Sequence, residues 1–207
     1  MSTVLVETLM EFEVYYDYHC PFVYRASLLL SNVAAVREVE VHWRYFSLTQ
    51  VNSRDDGWTV WGAPAAEKVR GRLAFQAAEA ARRQDRFDVY HSTLLRARHL
   101  GRLDIDEMDV VEQVAEEAGL EVERFRRDLG DPSFLDALER DHTHAIAIHG
   151  VFGTPTFVFP NGASAYIRLA EAPSGPDAVQ LFDSLLAVAA DEPRILEVKR
   201  PVRPSPD

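Results

Sequence analysis

Cysteine is nearly missing from this 207-residue chain, with Cys20 the only one. A single thiol cannot close an intrachain disulfide, so nothing covalent staples the fold, and a reducing cytosol is the default compartment. Basic charge is also scarce. Lys and Arg number 22 against 33 Asp and Glu, leaving a net charge of -11. That balance argues against a nucleic-acid or anionic-membrane surface, because phosphate binding needs a cationic footprint. The one basic concentration, Lys199-Arg200 with Arg203, reads as a solvated end. Long apolar runs are missing too. No stretch approaches the roughly 18 residues of a spanning helix. No Lys or Arg precedes Arg25, and Glu7 breaks the apolar stretch Thr3–Met10, so no secretory leader is expected. There is no Gly-x-Gly-x-x-Gly and no phosphate loop. Ser47 and Ser92 lack the context of an activated nucleophile.

What is present is a chain with 47% hydrophobic residues, enough for one large domain or a domain with a substantial insertion. Phe12–Tyr16 is β-branched and aromatic, a short strand. From Pro21 to Arg37 the period turns helical, with Phe22, Ala26, Leu29, Val33 and Val36 as an apolar stripe. Val39–Phe46 returns to period two, with Val39, Val41, Trp43 and Tyr45 on one face. Strand, helix, strand of these lengths implies parallel strands. Ser47–Pro64 is a long loop carrying Trp58 and Trp61, which either pin it to the core or line a cleft. Ala65 to His149 reads as helical throughout. Within it, Gly119 is a C-terminal stop, and Asp131-Pro132 is an N-cap followed by proline at the first helical position. Strand signals resume at Phe157–Phe159, followed by the Asn161-Gly162 turn and a second strand, Ala163–Leu169. Pro176–Ala190 is an amphipathic helix with Val179, Phe182, Leu186 and Ala189 as its stripe. The proline-rich tail PVRPSPD is expected to be extended or disordered.

The chemistry concentrates at Cys20. A helix beginning at Pro21 makes Cys20 its N-cap, and proline suits the next position because its missing N–H is not needed there. The free N–H groups and macrodipole of a first turn stabilise an anion by about 0.3–1 kcal/mol, up to about 2 when partly buried. This favours the thiolate, the attacking form. His19 beside it could add positive charge or accept a proton. Strand, tight turn, cysteine, proline, helix is an arrangement that exposes a thiol above a sheet edge, against the alternative of a small buried hydrophobe.

Three stretches carry a resemblance: YYDYHCPFVYRA; QAAEAARRQDRFDVYHSTLLRA with VVEQVAEEAGLEVERF; and GVFGTPTFVF. Over about residues 11–190 the chain resembles the DsbA-like thioredoxin-fold proteins, in particular the FrnE-type branch. The resemblance implies an α/β thioredoxin-like fold with a mixed central sheet, in which residues 11–46 and 150–190 form the thioredoxin-like part. Residues 64–149 would be an all-helical insertion, and 191–207 a tail. It implies that Thr154-Pro155 is a cis bond packed against Cys20, presenting backbone groups to an extended substrate. Without the resemblance, a trans proline at a strand start is the plainer reading. Dithiol members of the family carry a second cysteine three residues after the first, where this chain has Val23. Cys20 would then form a mixed disulfide released by an outside thiol, such as glutathione or another low-molecular-weight thiol acting as cosubstrate, with no tightly bound cofactor. Related proteins without the cysteine pair, the kappa-class glutathione transferases and 2-hydroxychromene-2-carboxylate isomerase, carry serine at the leading position. Asp17 reads as a solvated loop acid, with turn chemistry as the alternative.

The spacing of the histidines does not suit a metal site within one helix. His142 and His149 share a helix face but sit about 10 Å apart along the axis, too far for one ion with ligands about 2 Å away. His142, His144 and His149 therefore read as surface or helix-end residues, and His91 and His99 fail as a pair by the same spacing. The leading expectation is a cytoplasmic monothiol oxidoreductase. Cys20 is its nucleophile, with His19 as a catalytic candidate. Pro21, Thr154, Pro155, Trp58 and Trp61 are the substrate-binding candidates, and no metal is expected. Its partner is a thiol or disulfide, peptide or small molecule, with no nucleic acid or membrane; a homodimer stays open. A glutathione-dependent transferase or isomerase and a non-enzymatic binding module are the alternatives.

Overall fold

The structure, a computed structural model, describes residues 9–200. Most of the stretch Thr3–Met10 and the tail PVRPSPD lie outside the described residues. Strand β1 (Met10–Tyr16), helix α1 (Pro21–Ala34) and strand β2 (Val39–Tyr45) open the fold. β1 and β2 are parallel, in register from Met10 opposite Val39 to Tyr16 opposite Tyr45. Alternation along β1 sends Phe12 and Val14 to one face and Tyr15 to the other.

Helix α1 buries Val23, Ala26, Leu29, Leu30 and Val33. Two residues of the expected stripe fall outside this face. Phe22 is half-buried, and Val36 is exposed because the helix stops at Ala34. There the N–H groups of Val36 and Arg37 both turn back to the Val33 carbonyl, steering the chain into β2.

After β2 the loop is less irregular than its sequence suggests. Ser47 caps a short helix, α2 (Leu48–Val51), its Oγ accepting from the Gln50 N–H at 3.1 Å. The helical reading from Ala65 fails in the other direction. Residues 65–71 are turns, folded around the buried guanidinium of Arg72, which donates to the carbonyls of Ala63, Pro64 and Glu67. Helix α3 (Arg72–Arg82) begins only after Gly71, whose φ of 83° suits glycine. Helices α4 (Phe87–His99), α5 (Met108–Glu117), α6 (Val122–Leu129) and α7 (Ser133–His149) follow. α3 touches all four. Its Ala74, Ala77, Ala78, Ala80 and Ala81 are fully buried, and side chains this small let neighbours approach from several sides. Asp131 Oδ1 accepts from the Ser133 N–H at 2.9 Å, but α7 starts at Ser133 with Pro132 as its N-cap, one residue later than the Asp131-Pro132 reading.

Strands β3 (Thr156–Val158) and β4 (Ser164–Tyr166) form an antiparallel hairpin, and β3 pairs antiparallel with β1. The sheet order is β2-β1-β3-β4. Both hairpin strands are shorter than the apolar pattern suggests, because β4 lies at the sheet edge and only Ile167 N–H to Pro155 O (3.1 Å) extends the pairing beyond Tyr166. Helix α8 (Pro176–Ala189) lies beside α1. Phe182 anchors it, 5.8 Å from the ring of Phe12, and Val179, Leu186 and Ala189 are only partly buried. A fully buried Phe of this kind contributes about 1.5–3 kcal/mol.

Helices α1 and α8 cover one face of the sheet, and α7 covers the other through Ala145 against Tyr15, Phe46 and Val158. The outer edge of β2 is occupied by side chains: Arg82 Nη2 donates to the Trp43 carbonyl at 3.0 Å, and Asp141 Oδ2 accepts from the Tyr45 N–H at 3.2 Å. Among the described residues, no helix is long and apolar enough to cross a membrane.

Candidate active site

The β1–α1 turn, Asp17 to Cys20, closes with the Cys20 N–H on the Asp17 carbonyl at 3.0 Å. Cys20 is the N-cap of α1, extended at φ -83° and ψ 115°, with Pro21 next. Its Sγ donates to the carbonyl of Thr154 at 3.2 Å, across 134 residues of sequence. The Thr154–Pro155 peptide is cis. Cys20 is only 4% exposed, Pro21 beside it is on the surface, and Thr154 and Pro155 are buried. Cys20 is therefore nearly enclosed, with only the neighbouring Pro21 well exposed. It belongs to the apolar cluster shared by the end of the sheet and the helical insertion. Thr154 Oγ1 is buried without a hydrogen-bond partner among the described residues.

Asp17 is not a solvated loop acid. It is 2% exposed, and its carboxylate accepts from the N–H of His19 at 2.8 Å and of Leu48 at 2.7 Å. It fastens the cysteine turn to the segment after β2. Burial raises its pKa, opposed by those two backbone bonds. The signal was present in the sequence: an aspartate accepting the N–H two residues on is a common turn device.

His19 faces the insertion. Its Nε2 lies 3.1 Å from Asp106 Oδ2, although neither ring nitrogen makes a well-aligned hydrogen bond. The contact is close but poorly aligned for a hydrogen bond. Asp106 Oδ1 also accepts the Gly71 N–H at 2.7 Å, and burial of its carboxyl is outweighed by the His19 and Gly71 contacts, which hold its pKa low. His99 holds the turn from the other side, its Nε2 2.8 Å from the Tyr18 carbonyl. A carbonyl only accepts, so the proton sits on Nε2. Sequence reasoning missed Asp106 and His99 because they come from distant parts of the insertion.

Trp58 and Trp61 are half-buried and pack against the core cluster that contains Cys20. Trp61 lies 5.5 Å from the ring of His142, and the Trp58 carbonyl accepts from Gln50 Nε2 at 3.3 Å. They pin the loop. A groove of about 800 Å³ exists elsewhere, along the β2 edge between α1 and α4. Tyr24, Trp43, Arg82 and His91 line it, whereas Cys20 and Thr154 do not. The thiol and the cis peptide meet away from this groove.

His142 is also not a surface residue. It is 3% exposed, stacks on Phe46 at 4.5 Å, and its Nδ1 accepts from the Ser47 N–H at 3.1 Å. Burial pulls its pKa down to about 4. His91 is buried likewise, 3.1 Å from the Tyr18 hydroxyl, and pulled down to about 3 by burial and by Arg82. His144 is exposed and His149 half-buried. Among the described residues, no group of His, Cys, Asp and Glu is placed to hold a metal ion.

A thiol at a helix N-terminus, against a cis-proline turn at the end of a mixed sheet carrying a helical insertion, defines a thioredoxin-fold protein. The chain belongs to the DSBA-like thioredoxin domain family, whose sequence profile matches residues 11–187. Three solved structures show the same fold. A probable DsbA oxidoreductase from Streptomyces coelicolor is 21% identical, with a TM-score of 0.61 over 92% of this chain and 94% of that one. The cytosolic disulfide reductase DsbM from Pseudomonas aeruginosa, solved with GSH, is 21% identical, with a TM-score of 0.60 over 85% and 99%. A 2-hydroxychromene-2-carboxylate isomerase is 16% identical, with a TM-score of 0.60 over 86% and 95%.

Proposed function

We propose that this protein is a monothiol disulfide oxidoreductase working through Cys20. The observation that carries the reading is the meeting of Cys20 Sγ with the Thr154 carbonyl, 3.2 Å apart, at the N-terminus of α1. The contact uses the thiol proton. Loss of that proton leaves a thiolate at the positive end of a 14-residue helix. The thiolate attacks one sulfur of a substrate disulfide. A new S–S bond to Cys20 forms, the old one breaks, and the second sulfur leaves as a thiolate. Val23, fully buried on α1, cannot resolve the adduct. An external thiolate therefore attacks it, restores Cys20 and carries away the bound half as a new disulfide. Glutathione, named with the DsbM structure, is the natural cosubstrate to try first, and a reducing cytoplasm would supply it. Thr154 and Pro155 give the backbone surface on which the substrate lies.

A glutathione-dependent transferase or isomerase is favoured less. That reading calls for a deep pocket at Thr154, and the groove described along β2 is not lined by Thr154. The test is to expose folded protein to glutathione disulfide at neutral pH and follow intact mass. One glutathionyl adduct is expected on Cys20, none on Cys20→Ser, and release by added glutathione. An adduct that forms only after unfolding in urea would make Cys20 a structural residue and end the proposal.

A further inference from the structure

Around Phe22, two residues after Cys20, stand two arginines with no carboxylate partner among the described residues, Arg25 and Arg168. Both guanidiniums lie against one ring, that of Phe22, the second residue of α1: Arg168 at 3.9 Å from its centroid and Arg25 at 5.3 Å. A chain of contacts links this arginine pair to the cysteine turn. Cys20 Sγ reaches Thr154 O, Ile167 N–H bonds the Pro155 carbonyl at 3.1 Å, and Arg25 Nη1 donates to the Leu169 carbonyl at 2.9 Å. Alternation through 164–169 turns Ala165, Ile167 and Leu169 inward and leaves Tyr166 and Arg168 outward. Arg168 is thus held on the solvent side of the strand segment that borders the cis proline. The positive pole of α1 has the same sign. In a chain of net charge -11, the Arg25–Arg168 pair on the Phe22 ring is a local concentration of positive charge.

From this geometry we propose that the small-molecule disulfide or thiol taken by Cys20 carries a carboxylate a few bonds from its sulfur, and that Arg168, with Arg25, binds it. The inference rests on the monothiol exchange reading and names its substrate class. Phe22 keeps the guanidiniums in place by cation–π contact, so the anion meets a preorganised pair.

The test uses three symmetric disulfides of similar size: 3,3′-dithiodipropionate, bis(2-hydroxyethyl) disulfide and cystamine, which are anionic, neutral and cationic. The rate of adduct formation on Cys20 is read by intact mass. Each rate is divided by that of the urea-unfolded protein, which removes intrinsic reactivity. An exposed ion pair changes an equilibrium by about 1.4- to 5-fold, so two arginines should favour the anion over the neutral probe by about 3- to 10-fold. High salt should erase the preference. Arg168→Gln should shrink the ratio, and Arg168→Glu should turn it toward cystamine. A normalised ratio of one in the wild type, or a ratio unmoved by salt, overturns the inference while leaving exchange at Cys20 standing. Reaction with none of the three in the folded protein overturns the exchange reading itself and this inference with it.

Discussion

Replacing His142 with Asn tests whether a buried neutral imidazole locks the loop behind the cysteine turn. The ring Nδ1 accepts the Ser47 N–H, and the next N–H in the chain, that of Leu48, is held by Asp17 of the cysteine turn. A proton on Nδ1 would point at another proton. Burial has moved the pKa from 6.5 to about 4. The sign follows: between those values the unfolded chain binds a proton that the folded one refuses, so stability is lost as pH falls from about 6.5 to about 4 and is flat below. That displacement corresponds to about 3 kcal/mol. His91, pulled down to about 3, adds a loss of the same sign. Asp17 and Asp141, raised by burial, oppose it, since their folded forms take up protons first. The difference between wild type and His142→Asn cancels those other groups. Asn can still accept from Ser47 but gives up the stacking on Phe46, so at about pH 7.5 the variant should be weaker by about 1–2 kcal/mol. By about pH 4.5 the difference should have moved by about 2–3 kcal/mol in the variant's favour, enough to erase or reverse it. Urea unfolding followed by tryptophan fluorescence reads both values. A gap that stays constant across that range would refute the argument.

Asp17→Asn keeps one acceptor and sets its amide hydrogens against the second backbone N–H. A loss of about 1–3 kcal/mol is expected, with slower iodoacetamide alkylation of Cys20 in the folded protein; unchanged urea midpoint and alkylation rate would show that the turn does not depend on the carboxylate. Thr154→Val removes a buried hydroxyl that has no partner, so the melting temperature should hold or rise, and a clear fall would show that the hydroxyl is satisfied. Gly71→Ala forces a side chain onto a φ of 83° and places its Cβ 3.4 Å from His19 Cδ2; a loss of about 1 kcal/mol or more is expected in thermal unfolding. Val23→Cys puts a second thiol one helical turn after Cys20, with Cα atoms about 5–6 Å apart, inside the range a disulfide spans. Oxidation should remove two hydrogens by intact mass, and the oxidised variant should lose its reactivity toward alkylating agents.

Much of the architecture could be read from periodicity. Strands β1 and β2, helix α1 and the terminal helix announced themselves because each buries one face of a regular element. Cys20 was legible because Pro21 marks a helix start. Less legible were features set by tertiary partners. The chain from 65 to 71 looks helical by composition, yet the Arg72 guanidinium gathers its carbonyls into turns. Phe22 fits the α1 stripe by spacing, but it sits at the first turn, where Arg25 and Arg168 meet its ring. His142 looked peripheral because nothing local reveals that α7 would press it onto Phe46 and the Ser47 amide. Asp17 hid its role because one of its two partners, Leu48, lies 31 residues away.

The capped margin of β2 has a consequence for how copies of this protein meet. A bare edge strand is a template onto which another chain can add. Here a guanidinium and a carboxylate from the insertion already occupy the Trp43 carbonyl and the Tyr45 amide, so a foreign strand docking there would have to evict both. The opposite margin, β4, spans only three residues. The insertion thus also works as a guard against strand-by-strand stacking of one copy onto another at the β2 margin.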